Sequence, residues 1–447
     1  MSTKQMHLGA FLQDAGHHIA AWRHPDAPVG AGMNFDHFHY LARRAEAAKF
    51  DMIFLGDQMT FQYEEDESLG RTSRGANFDP LTLLSALAVS TRDIGLIATG
   101  STSYNEPFNI ARKYSSLDHI SKGRAGWNVV TSWTGGEARN FNRNEVMEHG
   151  LRYQRAQEFV EVVKGLWDSW DSDALVDDRQ QGLFFDPSRL HRLDHQGEFF
   201  QVRGPLTISR APQGYPVIVQ AGSSADGQTL AARHAEVIFT AQRNLAEAQK
   251  FYREVKSQLA DWGRDPDSLK IMPGIFPVVG ESAAHAREKF EQLQELVSPE
   301  IGWAVLARHL GGFDLSEYSP DDPVPDLPLT QGNQSRQALL LAFARRENLT
   351  IRQLYWHVNG TRGHWAIFGT AEEIADTLET WFREGAADGF NIMAPWLPGG
   401  LDEFIDHVVP VLQQRGLFRT EYSGSTLREH LGLQVPESRY ATRKVVT

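Results

Sequence analysis

The chain has 447 residues, of which 41% are hydrophobic and 11% aromatic, ample for a large core, and it carries a formal net charge of -13 at neutral pH. That acidic balance argues against nucleic-acid binding and against attachment to anionic membranes, both of which need basic surface. With no cysteine, disulfides, Cys-ligated zinc, iron–sulfur clusters and thiol nucleophiles are excluded.

The first apolar run, Met6 to Leu12, reads as a strand, and it is too short for a signal peptide. No later segment is long and apolar enough to span a bilayer, so a cytosolic protein is expected. Helical spacing follows from Phe35 to Lys49, then a strand from Asp51 that ends on Asp57. Asp79-Pro80 caps and opens a helix to Ser90, Ile94 to Thr99 is a third strand, and Pro107 opens a helix to about Ile120. The β-branched run Trp127 to Ser132 is strand four, followed by a polar loop from Trp133 to Asn144 and a long amphipathic helix, Leu151 to Trp170. Pro216 to Ala221 is strand five, with a helix through His234; Val237 to Thr240 is strand six, with a helix over Leu245 to Trp262; Ile271 to Val279 is strand seven. A helix over Ala371 to Glu384 precedes strand eight, Gly389 to Met393, and Asp402 to Gln414 is the last helix. Eight strands alternating with helices predict an α/β fold, a single (β/α)8 TIM barrel over residues 1–447.

Two segments do not fit a bare barrel. Residues 171–214, with a hairpin expected around Leu193 to Val202, and residues 281–365 read as insertions, and such insertions serve as lids or oligomer contacts. The polar tail 416–447 is expected to pack along the outside.

In such a barrel, function sits where the strands end. Asp57 ends strand two, Thr102 follows strand three, and Asn128 lies in strand four. His149 and Tyr153 stand four apart at a helix start, which puts both rings on one face. Gly222-Ser223-Ser224 leads from strand five into a helix, and free N–H groups at a helix start favour a phosphate; the same tripeptide also serves as an ordinary N-cap. Together these residues could line one cofactor site, and each alone could be a plain loop or surface residue. His191 and His195, or His37 and His39, are spaced closely, but no ligand-rich motif accompanies them and no metal site is expected. No nucleophile elbow, phosphate-binding P-loop or dinucleotide fingerprint is present.

The ordered stretches MHLGAF, AAWRHPDA, KFDMIFLGD, GRAGWNVVTSW with EARNF, HGLRY, PQGYPVIVQAGSS, GAADGFNIM and LREHLGL resemble the bacterial-luciferase-like superfamily. Within it they resemble the branch of nitrilotriacetate, EDTA, pristinamycin-synthesis and dibenzothiophene-sulfone monooxygenases, over roughly Met6 to Leu433. The resemblance implies a two-component enzyme that takes FMN as FMNH2 from a separate NAD(P)H-dependent flavin reductase. It would use O2 to oxygenate a small sulfone, thioether or aminopolycarboxylate, with C–S or C–N cleavage. It also implies a homodimer or homotetramer. Asp57, Thr102, His149, Tyr153 and Ser224 match the family's flavin positions, with Asn128 and Ser223 adjacent. The sulfone-oxidising branch has pocket residues that resemble His17, His309 and Phe54, assigned to substrate orientation or proton management, and His18 competes with His17 for that place. The acidic loop FQYEEDES after Asp57 departs from the sulfone oxidisers. Two other readings compete: an F420-dependent oxidoreductase of the same superfamily, and a non-catalytic flavin-binding barrel. A metal-dependent barrel hydrolase is the weakest.

Overall fold

The computed structural model describes residues 4–61, 69–222, 224–310, 313, 315, 317–328, 334–361 and 364–441, without the side chains of 308, 309, 334–336, 338 and 339. Helix starts follow the chemistry of their caps. Asn34 accepts from the His37 N–H to open α1 (Phe35–Ala47), and Asp79 accepts from Thr82, with Pro80 in the first turn of α2 (Pro80–Ala88). The next helices of the alternation are α3 (Pro107–Ser121), a short α4 (Gly135–Asn140), α5 (His149–Trp167), α6 (Ala225–His234) and α7 (Leu245–Gln258).

The strands are β1 (His7–Leu12), β2 (Met52–Leu55), β3 (Gly95–Ser101), β4 (Ala125–Val130), β5 (Val217–Gln220), β6 (Val237–Thr240), β7 (Lys270–Val279), β8 (Trp365–Gly369) and β9 (Gly389–Ile392). All pairings among them are parallel, and the β1–β9 and β6–β7 pairs close the barrel. Eight strands make the closed wall. The strand over Trp365–Gly369 was not anticipated. It pairs with the C-terminal half of β7, from Ile275 to Val279, while β9 pairs with Gly274 and Ile275. It therefore extends the sheet outward at the barrel mouth, and the described helices between β7 and β8 form a roof rooted on it. Part of that roof, helices α8 (Ala283–Glu295), α9 (Pro299–Leu310), α10 (Gln334–Glu347) and α11 (Ile351–Gly360), has its own apolar cluster in which Ile301, Leu306, Leu354 and Tyr355 pack on Ile19 and Ala20 of the loop after β1. Segment 171–214 holds the expected hairpin, His195–Gln196 against Gln201–Val202, and a second one, Leu175–Asp178 against Leu183–Phe185.

Among the described residues of the tail, 434–441 pack along the outside, where Arg439 pairs with Asp168 and Tyr440 stacks on His191, but 427–433 do not. Leu427, Leu431 and Leu433 belong to the apolar cluster inside the barrel, with Met52, Ile97, Val217 and Val237. A Cβ on Gly95, the first residue of β3, would stand 2.5 Å from Leu427 Cδ1. This part of the tail is thus a plug that seals the N-terminal end. Leu427 and Leu431 are fully buried, and each contributes about 1.5–3 kcal/mol by burial. Polar anchors fix the plug: Arg428 is buried against Glu236 and the Gln213 carbonyl, and Arg419 pairs with Asp51. With one end sealed by leucines, only the C-terminal end can open to a ligand.

Candidate functional site at the barrel mouth

A polar cavity of 390 Å³ opens at the C-terminal ends of β2, β4 and β5, lined by Asp57, Gln58, residues 129–134, Glu137, Tyr153, Gln220, Ala221 and Gly222. Burial, together with the nearby Asp79 and Glu137 carboxylates, pushes the Asp57 pKa up to about 6. Glu137 is itself buried; its carboxylate accepts from the Thr134 hydroxyl (2.8 Å), while Asn140 donates to the Met59 carbonyl (2.8 Å). Helix α4 therefore clamps the loop that carries Asp57. Asn128 lies in β4, on the strand that forms this wall. It donates to Thr99 Oγ1 (2.9 Å), which donates to the Leu55 carbonyl (2.8 Å), and Asn128 Oδ1 is buried without a partner among the described residues. A ring N–H from a bound ligand would satisfy that acceptor.

Tyr153 and His149 share one face of α5, with ring centroids 5.0 Å apart. His149 Nδ1 stands 3.1 Å from Asp226 in the first turn of α6. Ser224 is the N-cap of α6 and accepts from the Gly227 N–H (3.2 Å). The capping role is thus met for Ser224, and at the start of α6 the helix dipole favours an anion. Ser223 lies outside the described residues. Thr102 is not a cavity residue: it is buried, its hydroxyl donates to the Val130 carbonyl (3.1 Å), and its own carbonyl accepts from Arg155. Its contribution is to pin the end of β3 to the end of β4.

Phe54 points into the barrel, where it joins Phe11 (4.7 Å between centroids) and Phe239 (5.6 Å) in an aromatic floor. His17 stacks edge-on against Phe11 at 4.5 Å, and its Nε2–H donates to the Phe11 carbonyl (2.8 Å). That bond fixes Nε2 as a protonated donor. The loop is held by backbone bonds from His17 to the Ala394 carbonyl and His18 to the Pro395 carbonyl, and by Arg74, which donates to the carbonyls of Gly16 and His17. The two histidines meet different neighbours. His17 faces the floor, whereas His18 turns away to donate to Gln294 (2.8 Å) and accept from Ala20 N (3.2 Å). The side chain of His309, and the acidic stretch 62–68, lie outside the described residues. His191 and His195 do not converge: the first meets Asp171 (3.0 Å) and the second Glu158 (2.9 Å).

A polar cradle with a helix start at one end and an aromatic floor at the other has the shape of a flavin site. Residues 15–388 match the family model described as luciferase-like monooxygenase. The chain belongs to the luciferase-like monooxygenase family. It is 53% identical over 440 residues to N-acetyl-S-(2-succino)cysteine monooxygenase of Bacillus subtilis (strain 168), covering 98% of this chain and 99% of that protein. It is 47% identical over 449 residues to nitrilotriacetate monooxygenase component A of Aminobacter aminovorans, covering 98% and 99%. The solved structure of DmoA from Hyphomicrobium sulfonivorans superposes with a TM-score of 0.87 at 30% identity, covering 98% of this chain and 96% of that one. The chain is therefore a monooxygenase on the barrel expected from its sequence.

Within this luciferase-like barrel, sequence reasoning missed Phe11, Gln220, Phe239 and Glu137. The first three stand at or near the C-terminal ends of β1, β5 and β6, so the strand-end rule that selected Asp57 would have found them. Glu137 gave no such signal, because it acts from a short helix inside the loop after β4. A second cavity, of 810 Å³, lies under the roof, and His364 at its edge stacks on Phe239 (5.3 Å, 26°).

Proposed function

We propose that the protein is a two-component, FMNH2-dependent monooxygenase acting on a small sulfur- or nitrogen-containing organic compound, with C–S or C–N cleavage. The observation that carries this reading is the polar cavity lined by Asp57, Tyr153 and Gly222 at the strand ends, with Phe11 of the aromatic floor packed on Gly56 beside Asp57. Two relatives, each matched over 99% of its length, act, by name, on a succinylated cysteine and on nitrilotriacetate, and the second is named component A. A separate NAD(P)H-dependent flavin reductase would supply the reduced flavin. Among the described residues no helix is long and apolar enough to cross a membrane, which fits delivery by diffusion between two proteins in one compartment.

The residues fit the group. The first turn of α6, with Ser224 and His149, would hold the phosphate; Tyr153 would follow the ribityl chain; Asp57 and the buried acceptor Asn128 Oδ1 would meet the ring system. Bound reduced FMN supplies the two electrons with which O2 is activated, one oxygen atom going to the substrate. The chain's own work is to bind, orient and keep water out. Phe11, Phe54 and Phe239 give the ring an apolar bed, and the roof on β8 covers it. His17, held by its Nε2–H bond to the Phe11 carbonyl, stands against the floor. Asp57, protonated below about pH 6, can hold or release a proton at its carboxyl within the physiological range.

The test is an anaerobic titration of the purified protein with reduced FMN, oxidised FMN, reduced riboflavin and F420, followed by O2. Preferential binding of reduced FMN over reduced riboflavin, and substrate-dependent O2 consumption, are expected. Binding of F420 in its place would move the enzyme to hydride transfer, and flavin binding without substrate-dependent O2 uptake would leave a non-catalytic barrel.

A further inference from the structure

Gln220 ends β5 with its side chain on the helix side of the sheet. Val217 and Val219 belong to the cluster inside the barrel, with Met52 and Leu427, whereas Ile218 joins the opposite core, which holds Phe159 of α5 and Leu230 of α6. Side chains alternate along a strand, so Gln220 lies on the side of Ile218, where Tyr153 and Gly222 line the same cavity. One bond then sets its amide. The Gly222 N–H donates to Gln220 Oε1 (2.8 Å). A backbone N–H needs an acceptor, so the amide oxygen is turned to the loop and Nε2 is left as the outward donor. Gln220 is 4% exposed and lines the cavity, and no described residue accepts from its Nε2. Gly222 is built for this approach: a Cβ there would collide with Gln220 Nε2 and would stand 3.1 Å from the Gly227 Cα in the first turn of α6.

The charges around the cavity sharpen the point. Asp57 and Glu137 are the ionised side-chain types in its wall, together with the phenol of Tyr153, and no lysine, arginine or histidine lines it among the described residues. An anion entering here must be held by neutral donors. We propose that Gln220 is a recognition residue for the flavin phosphate: its Nε2–H donates to a phosphate oxygen, in place of the Gly222 N–H that its own Oε1 occupies. The proposal rests on the flavin-dependent reading above, and it names the donor that favours FMN over riboflavin. A phosphate oxygen makes a charge-assisted bond with an amide N–H, stronger than the bond the same amide makes to a neutral group. The amide is already oriented by Gly222, so binding does not have to order it. Asp57 stands at the end of β2, two strands of the wall away from β5 on the far side of β3 and β4, so the acid and the ester are kept apart at opposite ends of the ligand.

The experiment titrates reduced FMN and reduced riboflavin anaerobically into the full chain, read from flavin absorbance, and follows thermal unfolding without flavin. Gln220→Glu keeps an acceptor for the Gly222 N–H and removes the donor. Gln220→Met removes both and adds no charge. Expected is that Gln220→Glu weakens reduced FMN by about tenfold or more and Gln220→Met by about threefold or more, with reduced riboflavin within about twofold of the parent in both. A role confined to holding the loop gives a different pattern: Gln220→Glu binds as the parent does, and Gln220→Met weakens both flavins alike. An unchanged preference for FMN over riboflavin in either variant overturns the proposal. Equal weakening of the two flavins also overturns it, since the amide would then meet the ring or the ribityl chain. If thermal unfolding shows that Gln220→Glu does not fold, Gln220→Met carries the test by the same criterion. Failure of the flavin reading is seen separately, as absence of reduced-FMN binding by the parent.

Discussion

Leu427 lies directly against Gly95: a methyl group at Gly95 would come within 2.5 Å of the Leu427 Cδ1 atom. The contact closes the end of the barrel farthest from the cavity, with a residue nearly at the end of the chain. Leu427→Ala removes a fully buried side chain from a cluster that cannot collapse freely, because the strands around it are hydrogen-bonded into a closed wall. The expected cost is about 2–5 kcal/mol, read as a lower midpoint in urea. Reduced-flavin affinity, measured well below that midpoint, is expected to stay as in the parent.

The plug also shows where the sequence was informative and where it was silent. The alternation that predicts eight barrel strands is a local signal, written in β-branched runs and capped helices, and the structure has them. The tail sequence LREHLGL carries leucines at helical spacing, yet it is polar overall, and its place inside the barrel depends on Gly95 leaving a hole some 330 residues earlier. Nothing local encodes that. Strand Trp365–Gly369 was hidden in the same way, since its run abuts an insertion and its partner is the far half of a long β7. At the site, Asp57, Tyr153 and Gly222 were legible because barrel topology forces strand ends together. Thr102 was drawn into the cavity by the same rule, but its hydroxyl is already spent on the Val130 carbonyl.

His17 and His18 are adjacent in sequence and meet different neighbours. Burial, opposed in part by the Gln294 bond and aided by Arg74, lowers the His18 pKa from 6.5 to about 4. Both ring nitrogens are already used in the neutral form, one as donor and one as acceptor. The unfolded chain takes up this proton near pH 6.5 and the native state does not until about pH 4. Stability is therefore full above pH 6.5 and falls as pH drops through that interval, by up to about 1.4 kcal/mol per pH unit from this group. Urea unfolding of His18→Gln at several pH values is expected to show that part of the slope removed. His17→Ala is expected to lower turnover with reduced FMN still bound; full turnover in that variant would remove His17 from the chemistry.

Asp57 sits where function opposes stability. Its carboxyl is raised to about 6 by burial and by two neighbouring carboxylates, Asp79 and Glu137. A raised acid pKa means that the folded state prefers the protonated form, so its stabilising contribution is present below the unfolded value of 3.8 and is lost as pH rises through about 6. Asp57→Asn removes that charge without removing the shape. The expected outcome at pH 8 is a higher Tm together with weaker binding of reduced FMN, the pattern of a site that trades stability for function. Parent flavin affinity is expected to inflect near pH 6, and the variant's to be flat. A lower Tm in Asp57→Asn would show that the carboxylate is satisfied as it stands.

Asp226 and His149 present the sharpest conflict with the phosphate assignment. The carboxylate stands 3.1 Å from the imidazole, both about half exposed, in the first turn of the helix that Ser224 caps. A phosphate at this helix start would meet Asp226 as a like charge and would compete with it for His149. Removing the charge while keeping the shape should therefore favour the phosphate ester over the free flavin. Asp226→Asn is expected to tighten reduced FMN by severalfold, about the scale of one screened charge pair at a partly exposed site, and to leave reduced riboflavin unchanged. The gain should shrink at high salt. His149→Ala should weaken FMN and again spare riboflavin. If Asp226→Asn shifts both ligands equally, the phosphate does not lie at α6, and the cradle must be read with the flavin in another orientation.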